Sequence, residues 1–351
     1  MFDLYSGNTP SRLNKEHFKG TVNWISSGEL KEHYIYSSKE QISEEAAKSL
    51  KLLPVGTFVI AIYGLEAEGV RGTGSITQEP STISQACMSF IQKGEIGNEF
   101  LYSWYKKHGN MIGIRYAQGT KQQNLSYDIL EKFRIVYPKT KEQEKLNKLI
   151  SLLDERISTQ NKIIDKLQSL IKGLRVSLMQ IENGNIVHLG EIAQIYQPQT
   201  ISSTELTEDG FLVYGANGII GKYKQYNHKT EQICITCRGN TCGMVNYTKP
   251  MSWITGNAMV INTDEHQNKV CKRYLYHYLS AYNFNSIISG SGQPQIVRTP
   301  LEQLKVPLPT FLEQKQKATF LDIIQGKIEI SNKTLNLYLQ QKQYLLRQMF
   351  I

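Results

Sequence analysis

Basic and amide side chains recur in segments whose glycine and serine content indicates loops. Arginine, lysine, asparagine and glutamine are the residues that read base edges in a DNA groove, and they can do so from loop tips. Twelve such residues are candidates for DNA contacts: Arg12, Asn14, Lys15, Arg71, Lys121, Gln122, Lys222, Lys224, Arg238, Asn240, Gln293 and Arg298. Each one is also compatible with an ordinary solvated loop residue. The set as a whole favours nucleic acid as the ligand.

A second candidate chemistry is metal binding by Cys234, Cys237 and Cys242. A structural zinc site normally takes four ligands from paired clusters, and no second Cys-x-x-Cys follows in this sequence. In a strand, Cys234 and Cys237 would also point to opposite faces. The sequence therefore predicts core thiols and no metal site.

The sequence contains no complete catalytic motif of the kinds considered below. Residues 215–223 faintly resemble a phosphate-binding loop, but Ala216 stands at the first required glycine and Tyr223 at the required serine or threonine. Glu29 and Lys31 have the spacing of metal-dependent nucleases without the preceding Pro-Asp pair. Zincin, nucleophile-elbow and amino-methyltransferase motifs are also missing from the sequence. We therefore expect a chain without catalytic residues.

Charge and cysteine usage indicate the class of partner and the compartment. The 351 residues carry 40 Lys and Arg against 31 Asp and Glu, for a formal net charge of +9 and a pI near 9.1. This balance favours nucleic acid, and a merely basic protein is the alternative. The sequence shows no signal peptide and no apolar run of about 18 residues, so its cysteines are expected as reduced thiols in a soluble cytoplasmic protein.

The elements that must position these loops occur twice. Residues 119–143 align with residues 290–314 without a gap at a constant offset of 171 positions, the distance from Gly119 to Gly290. The aligned pairs include Gln122 with Gln293, Leu130 with Leu301, Pro138 with Pro309, Glu142 with Glu313, and Gln143 with Gln314. A repeat of this length exceeds solenoid units of about 20–50 residues and indicates a duplicated module.

Each module has the pattern of a sheet-rich α/β unit, with short apolar runs between turn residues. Strands are predicted over residues 22–25, 57–63 and 86–91 in the first module and over residues 232–236, 244–245 and 258–261 in the second. Short helices are predicted over residues 43–53 and 97–108.

A long amphipathic helix follows each module. Apolar residues of the first helix recur in steps of three and four from residue 146 to residue 178, a heptad seam of about five repeats with Gln160 as its polar interruption. The second helix has a weaker seam whose middle polar residue is Ser331. Two helices of similar length that pack antiparallel bring their midpoints together. We therefore expect Gln160 to face Ser331 at the centre of the helix pair.

The motifs in this duplicated order resemble the specificity (S) subunit of type I restriction–modification systems. The resemblance covers nearly the whole chain and rests on residues 6–11, 22–25 and 27–30 of the first module and residues 213–221, 238–243 and 253–261 of the second. Pro138 with Glu142-Gln143, and Pro309 with Glu313-Gln314, look like the family's exit from each module into a helix.

The resemblance implies an α+β fold with two similar α/β target-recognition domains joined by two long helices packed as an antiparallel coiled coil. The expected divisions are residues 1–139 for the first recognition domain, 140–181 for the central spacer helix, 182–310 for the second recognition domain and 311–351 for the C-terminal spacer helix. Each domain is expected to read one half of a split double-stranded DNA site.

The resemblance also implies partners. Two methyltransferase (M) subunits are expected to dock on the helices, and restriction/translocase (R) subunits are expected in the full complex. S-adenosylmethionine, ATP and Mg²⁺ are expected on those subunits and not on this chain, which is expected to be non-catalytic and to bind no membrane.

One departure and two alternatives accompany this interpretation. The second module opens with residues 188–196, whereas the first begins at Met1-Phe2-Asp3, so about seven residues and the family's opening strand are expected to be missing there. The alternatives are a single-chain DNA nuclease with an unrecognised active site, which metal-dependent cleavage would reveal, and a coiled-coil protein adaptor. Salt-sensitive DNA binding separates the adaptor from a DNA reader.

Overall fold

The computed structural model describes residues 1–67, 69–180, 185–216, 218–290 and 292–350. The chain forms two compact units. Unit 1 comprises Met1–Gln160 and Thr334–Ile351, and unit 2 comprises Asn161–Lys333. The predicted division between residues 181 and 182 lies outside the described residues.

Unit 1 contains two sheets. Its strands and short helices are β1 Phe2–Ser6, β2 Val22–Ile25, β3 Tyr34–Ile35, β4 Gln41–Ile42, α1 Glu44–Lys48, β5 Phe58–Ala61, β6 Gly74–Thr77, β7 Ser81–Ile83, β8 Cys87–Gln92, α2 Asn98–Tyr116 and α3 Tyr127–Glu131. The large sheet has the order β1-β8-β5-β6-β3 and the small sheet the order β4-β2-β7. The predicted strands over residues 22–25, 57–63 and 86–91 are confirmed in type; the first has its predicted bounds, and the bounds of the other two are shifted by one or two residues.

The core of unit 1 lies between the large sheet and α2. Phe58 and Ile60 of the central strand point toward α2, and Val59 and Ala61 point into a second cluster on the opposite face, because successive strand residues alternate between faces. The helix predicted over residues 97–108 continues to Tyr116, since Ile112 extends its buried face. The helix predicted over residues 43–53 ends at Lys48, because Leu53 instead bridges to Ser81.

Two long helices run through both units. They are α4, Thr140–Met179, and, at the end of the chain, a second helix over Phe311–Met349. Every residue of the two predicted seams is buried or half-buried, which confirms the heptad interpretation.

In unit 2, the chain after α4 repeats the construction. Its elements are β9 Asn185–His188, β10 Gln194–Tyr196, β11 Phe211–Gly215, β12 Gly218–Tyr223, β13 Ile233–Thr236, β14 Val245–Tyr247, β15 Trp253–Ile254, β16 Ala258–Asn262, α5 Lys272–Ala281, α6 Arg298–Glu302 and β17 Lys305–Leu308, after which comes α7, Phe311–Met349. Its sheets have the orders β10-β16-β13-β14, β12-β11-β15 and β17-β9. The strands predicted over residues 232–236, 244–245 and 258–261 are confirmed in type.

The two long helices run antiparallel within each unit. In unit 1, Asp154 of α4 pairs with Lys342 of α7. In unit 2, Lys317 Nζ of α7 donates to the Leu178 carbonyl of α4 at 2.7 Å. Early residues of one helix thus meet late residues of the other. Gln160 and Ser331 belong to different units, and their facing each other stays a prediction.

The sheet pairings establish the duplication in three dimensions. In unit 1, β2 pairs antiparallel with β4 and parallel with β7; in unit 2, β11 pairs antiparallel with β12 and parallel with β15. The central strands β5 and β13 are each antiparallel to both neighbours. The β17–β9 pair has no counterpart among the described residues of unit 1.

No helix within the described ranges is long and apolar enough to cross a membrane.

Candidate nucleic-acid interface

A glycine turn shapes one loop in each unit. In unit 1, the backbones of Gln118 and Asn124 exchange hydrogen bonds of 2.8 and 2.9 Å, and Gly119 between them has φ +111°. A Cβ on Gly119 would lie 2.1 Å from the Gln122 carbonyl oxygen, so the turn requires glycine. In unit 2, Ser289 and Gln295 exchange hydrogen bonds of 2.9 and 2.8 Å around Gly290, whose φ is +90°.

Each of these loops is fixed to the loop that follows the central strand. In unit 1, Leu125 N donates to the Ile62 carbonyl at 2.9 Å and Leu65 N donates to the Gln123 carbonyl at 3.1 Å. We call residues 62–67 and 118–125 loop pair 1.

The same fixing occurs in unit 2. Ile296 N donates to the Cys237 carbonyl and Gly239 N to the Pro294 carbonyl, both at 3.0 Å. We call residues 237–243 with residues 289–296, Ser291 excepted, loop pair 2. Backbone hydrogen bonds therefore hold two loops together as one polar surface in each unit.

In loop pair 1, a hydrogen-bonded chain positions an amide. Arg71 Nη2 donates to Gln123 Oε1 at 2.7 Å, and Gln123 N donates to Glu66 Oε2 at 2.8 Å. The backbone N–H of Gln123 holds the pKa of Glu66 below its usual value. Lys121 and Gln122 are exposed at the turn, and the bond to Gln123 places Arg71 beside the loop pair that carries them.

Arg71 is held on its other side by helix α2. A Cβ on Gly113 would lie 3.1 Å from Arg71 Cγ, and Arg71 Nε is buried without a hydrogen-bond partner in the described part of the chain. Gln123 is not among the twelve candidate residues, although it lies within the aligned repeat, where its partner is Pro294. Its role depends on a contact with a residue 52 positions away, which no local pattern reveals.

Beside loop pair 2 lies a cleft of about 200 Å³. Arg238, Gln295 and Arg298 line it, and the backbones of Arg238 and Gln295 form an antiparallel bridge. Arg298 Nε also donates to Glu302 Oε1 at 2.6 Å. The structure thus unites two candidates, Arg238 and Arg298, that lie 60 positions apart in the sequence (238 to 298).

Further residues extend loop pair 2. Gln197, which the sequence interpretation missed, lines the cleft and donates from Nε2 to the Gly256 carbonyl at 2.9 Å. Gln293 and Asn240 are exposed, and Asn240 follows Gly239, whose φ is +82°. The short strand before Gln197 gives no sequence signal for a polar cleft residue.

Lys222 and Lys224 come from the small sheet and not from loop pair 2. Lys222 lies in β12 and its Nζ is 3.6 Å from Asp209 Oδ1. Lys224 follows the strand and is exposed.

The candidates near the start of the chain stabilise their own segment. Arg12 donates to both carboxylate oxygens of Glu40 at 3.0 and 2.8 Å, and its guanidinium lies 4.5 Å from the centre of the Phe18 ring. Asn14 Oδ1 accepts from Glu16 N at 3.1 Å and caps a 3₁₀ turn that begins at Lys15, which is exposed. All three residues are exposed, and Arg12 and Asn14 in addition have partners within their own segment.

The cysteines and Glu29 have structural environments. Cys234 and Cys237 are buried in different clusters on opposite faces of the sheet, as predicted, and burial raises the pKa of Cys234 to about 12. Glu29 accepts from the backbone N–H and the hydroxyl of Ser26 at 2.9 and 2.6 Å, which caps a turn. Within the described ranges, no group of three His, Cys, Asp or Glu residues could hold a metal ion.

The two halves of the chain match one known family. The profile described as "Type I restriction modification DNA specificity domain" matches residues 1–169 and again residues 182–339. The chain belongs to this type I specificity family. It is a specificity subunit with two target-recognition domains, and each match contains one of the two loop pairs.

Relatives within the type I specificity family are distant but extensive. The EcoprrI specificity subunit of Escherichia coli is 25% identical over 356 residues, which cover 92% of this chain and 85% of that one. The MjaIX specificity subunit of Methanocaldococcus jannaschii is 28% identical over 200 residues, covering 54% of this chain and 45% of that one.

Solved structures support the fold. The type I S subunit from M. genitalium aligns with a TM-score of 0.67 at 18% identity, covering 100% of this chain and 94% of that one. A chain from a structural study of complex assembly and conformational transition in a type I system aligns with a TM-score of 0.59 at 15% identity, covering 95% and 93%. At these identities the likeness concerns the fold alone.

Proposed function

We propose that this specificity subunit reads a split DNA sequence, with loop pair 1 contacting one half and loop pair 2 contacting the other. The observation that carries the proposal is the repetition of one polar construction: a loop with a left-handed glycine, fixed to the end of the central strand, occurs once in each unit. Two separate readers on one chain are suited to two half-sites separated by bases that nothing contacts.

The side chains of the loop pairs suit base reading. Arginine bonds guanine with two donors, and glutamine bonds adenine with a donor and an acceptor. Loop pair 1 offers Gln122 at its turn and Gln123, to which the neighbouring Arg71 is bonded, while loop pair 2 offers Arg238 and Gln293. Exposed lysines such as Lys121 and Lys224 suit phosphate contacts, which supply affinity without sequence preference.

The proposal includes a division of labour. This chain supplies recognition, and catalysis is carried out by two methyltransferase subunits docked on its helices and by restriction/translocase subunits in the full complex. S-adenosylmethionine, ATP and Mg²⁺ bind to those partner subunits. The sequence lacks a complete phosphate-loop motif and an amino-methyltransferase motif, which supports this assignment.

Mapping of methylated sites in cells that carry this chain with its methyltransferase tests the proposal. The expected motif has two specified halves with unspecified bases between them. Replacing residues 1–138 with the corresponding domain of another family member is expected to change one half and leave the other. A continuous motif, or a change in both halves, would contradict the two-reader arrangement.

DNA binding in increasing salt distinguishes the adaptor alternative. Affinity of the chain in complex with its methyltransferase should fall steeply with salt, because phosphate contacts release counterions. Salt-independent affinity would contradict the DNA-reading role.

A further inference from the structure

A short strand completes the core of unit 2. Strand β9 pairs antiparallel with β17, with Val187 opposite Val306 and Ile186 opposite Pro307. Immediately after β9, Leu189 N donates to the Leu304 carbonyl at 2.8 Å, and the Leu189 side chain is fully buried. Val187 and Leu189, two positions apart, therefore fill one side of the core.

The corresponding segment of unit 1 has an unpaired edge. Residues 134–137 correspond to β17 at the offset of 171, and they lie between α3 and α4 as β17 lies between α6 and α7. Their exposure alternates as in a strand, with Ile135 and Tyr137 half-buried and Val136 73% exposed. Among the described residues, no hydrogen bond involves the backbone N–H or C=O groups of this segment.

A cavity lies beside this segment. It has a volume of about 230 Å³, and its lining includes Phe133, Ile135 and Tyr137, which share one side of the segment, together with Leu130 and Phe2. At the same offset, Leu130 corresponds to Leu301, which is fully buried against Leu189 in unit 2. An apolar cavity of about 150 Å³ already takes up a benzene-sized group, so this one has room for an aliphatic side chain.

We propose that residues 130–137 form an acceptor groove for an extended polypeptide segment with the pattern of residues 185–191, Asn-Ile-Val-His-Leu-Gly-Glu. The segment pairs antiparallel with residues 134–137. Its third residue packs against Ile135, and its leucine enters the cavity.

The chemistry of the groove selects an extended strand over other ligands. Unpaired backbone N–H and C=O groups are satisfied by a strand that adds to the edge, and alternate side chains then supply specificity through pockets. A helix satisfies its own backbone and would leave the edge of residues 134–137 unpaired. Unit 2 shows that this scaffold accepts such a segment, because β9 occupies the equivalent position there.

Binding of a labelled synthetic peptide tests the proposal. A fluorescein-labelled peptide with the sequence of residues 185–191 is titrated with the full chain, and fluorescence anisotropy should show saturable binding. Hydrogen exchange of the complex should show new protection at residues 133–137. A peptide with aspartate in place of its leucine should bind about tenfold or more weakly, since the equivalent Leu189 is fully buried in unit 2.

Two proline variants form a matched pair. Pro307 in β17 lacks an N–H, so Pro307 and Ile186 form a non-hydrogen-bonded pair of the antiparallel ladder. The adjacent pair, Val306 with Val187, is therefore hydrogen-bonded. At the offset of 171, Val136 corresponds to Pro307 and Ile135 corresponds to Val306. Val136→Pro should therefore keep peptide binding, and Ile135→Pro should abolish it. Both variants place a proline in the same segment, so a general effect on folding would weaken binding in both.

Several outcomes would overturn the acceptor groove. One is that the peptide fails to bind the native chain, and another is that the two proline variants lose peptide binding equally. The aspartate peptide could also bind as tightly as the leucine peptide, or new protection from hydrogen exchange could be confined to unit 2. Dimers of the chain that already protect residues 133–137 and exclude the peptide would assign the groove to a second copy and would overturn the proposal as well.

Discussion

Gln143 and Gln314 make the same three hydrogen bonds at equivalent positions of the two units. Gln143 Oε1 accepts from Gly97 N at 3.0 Å, and its Nε2 donates to the Glu95 and Pro138 carbonyls at 3.1 and 2.9 Å. Gln314 Oε1 accepts from Cys271 N at 2.9 Å, and its Nε2 donates to the Lys269 and Pro309 carbonyls at 3.1 and 3.0 Å. Each buried amide thereby joins the start of a long helix to the start of an earlier helix of the same unit, α2 for Gln143 and α5 for Gln314.

Gln314→Ala is expected to destabilise unit 2. The change leaves Cys271 N–H and two carbonyl oxygens unsatisfied in a buried position, at a cost of about 1–3 kcal/mol. Urea unfolding followed by far-UV circular dichroism measures this change. Gln316→Ala, at an exposed position of the same helix, is the control and should alter the free energy of unfolding by less than about 0.5 kcal/mol. Equal effects in the two variants would contradict a joining role for Gln314.

Acidification is expected to destabilise unit 2 through His277. Arg175 Nε donates to His277 Nδ1 at 3.2 Å and Nε2 lies 2.8 Å from Asp322 Oδ1, which fixes the neutral ring with its proton on Nε2. Burial lowers the pKa of His277, and Arg175 and Arg273 add to this against the opposing effect of Asp322. Because the folded pKa is lowered, the unfolded state binds the proton first. Stability from this group is present above about pH 6.5 and is lost as pH falls toward the folded pKa.

The free energy of unfolding at pH 7.5 and at pH 5.5 measures this dependence, and His277→Gln should reduce the difference between them. His108 and His228 also have pKa values lowered first by burial, so a part of the pH dependence should remain in the variant. An unchanged pH dependence in His277→Gln would show that the ring does not titrate in this range.

Gly109→Ala is expected to displace the segment that carries Arg71. A Cβ at position 109 would lie 2.8 Å from Gly72 Cα and 2.8 Å from the Tyr105 ring, and Gly72, with φ +72°, cannot shift without moving its neighbour Arg71. Recognition of one half-site should weaken while the other is unaffected, as methylation mapping would show. Gly173→Ala is the control, because no atom other than those of its chain neighbours and of the adjacent backbone of its own helix lies within 4 Å of a Cβ placed there. There alanine should stabilise the helix by up to about 1 kcal/mol and leave recognition unchanged.

Arg238→Ala is expected to weaken DNA binding more than Arg298→Ala. Arg238 is exposed on loop pair 2, whereas the Arg298 guanidinium is already bonded to Glu302. A base contact by Arg238 predicts a loss of about 1–3 kcal/mol together with relaxed preference at one base of one half-site. Titration of the methyltransferase complex with matched and single-mismatch duplexes measures both quantities. A larger loss for Arg298→Ala would transfer the recognition role to that residue.

Periodic and repeated features could be predicted from the sequence. The spacing of three and four residues correctly predicted which seam side chains of α4 and α7 are buried or half-buried, because burial along a helix repeats with the helical period. The aligned residues 119–143 and 290–314 indicated equivalent modules, and Gly119 and Gly290 indeed form the same turn. The central strands were also predicted, because short apolar runs between turn residues need no distant partner to be recognised.

Contacts between distant residues were decided by the tertiary structure alone. Arg12 and Glu40 lie 28 positions apart, so the sequence showed a free arginine where the fold forms an ion pair. Arg71 meets Gln123 only because α2 and the central strand bring their loops together, and His277 meets Asp322 only because α5 packs on α7. The sequence by itself determined that the chain has two equivalent modules and two seamed helices, since these depend on local period and repetition. Which polar side chains are bonded and which remain available to a ligand depends on packing, which acts between segments that are remote in the chain.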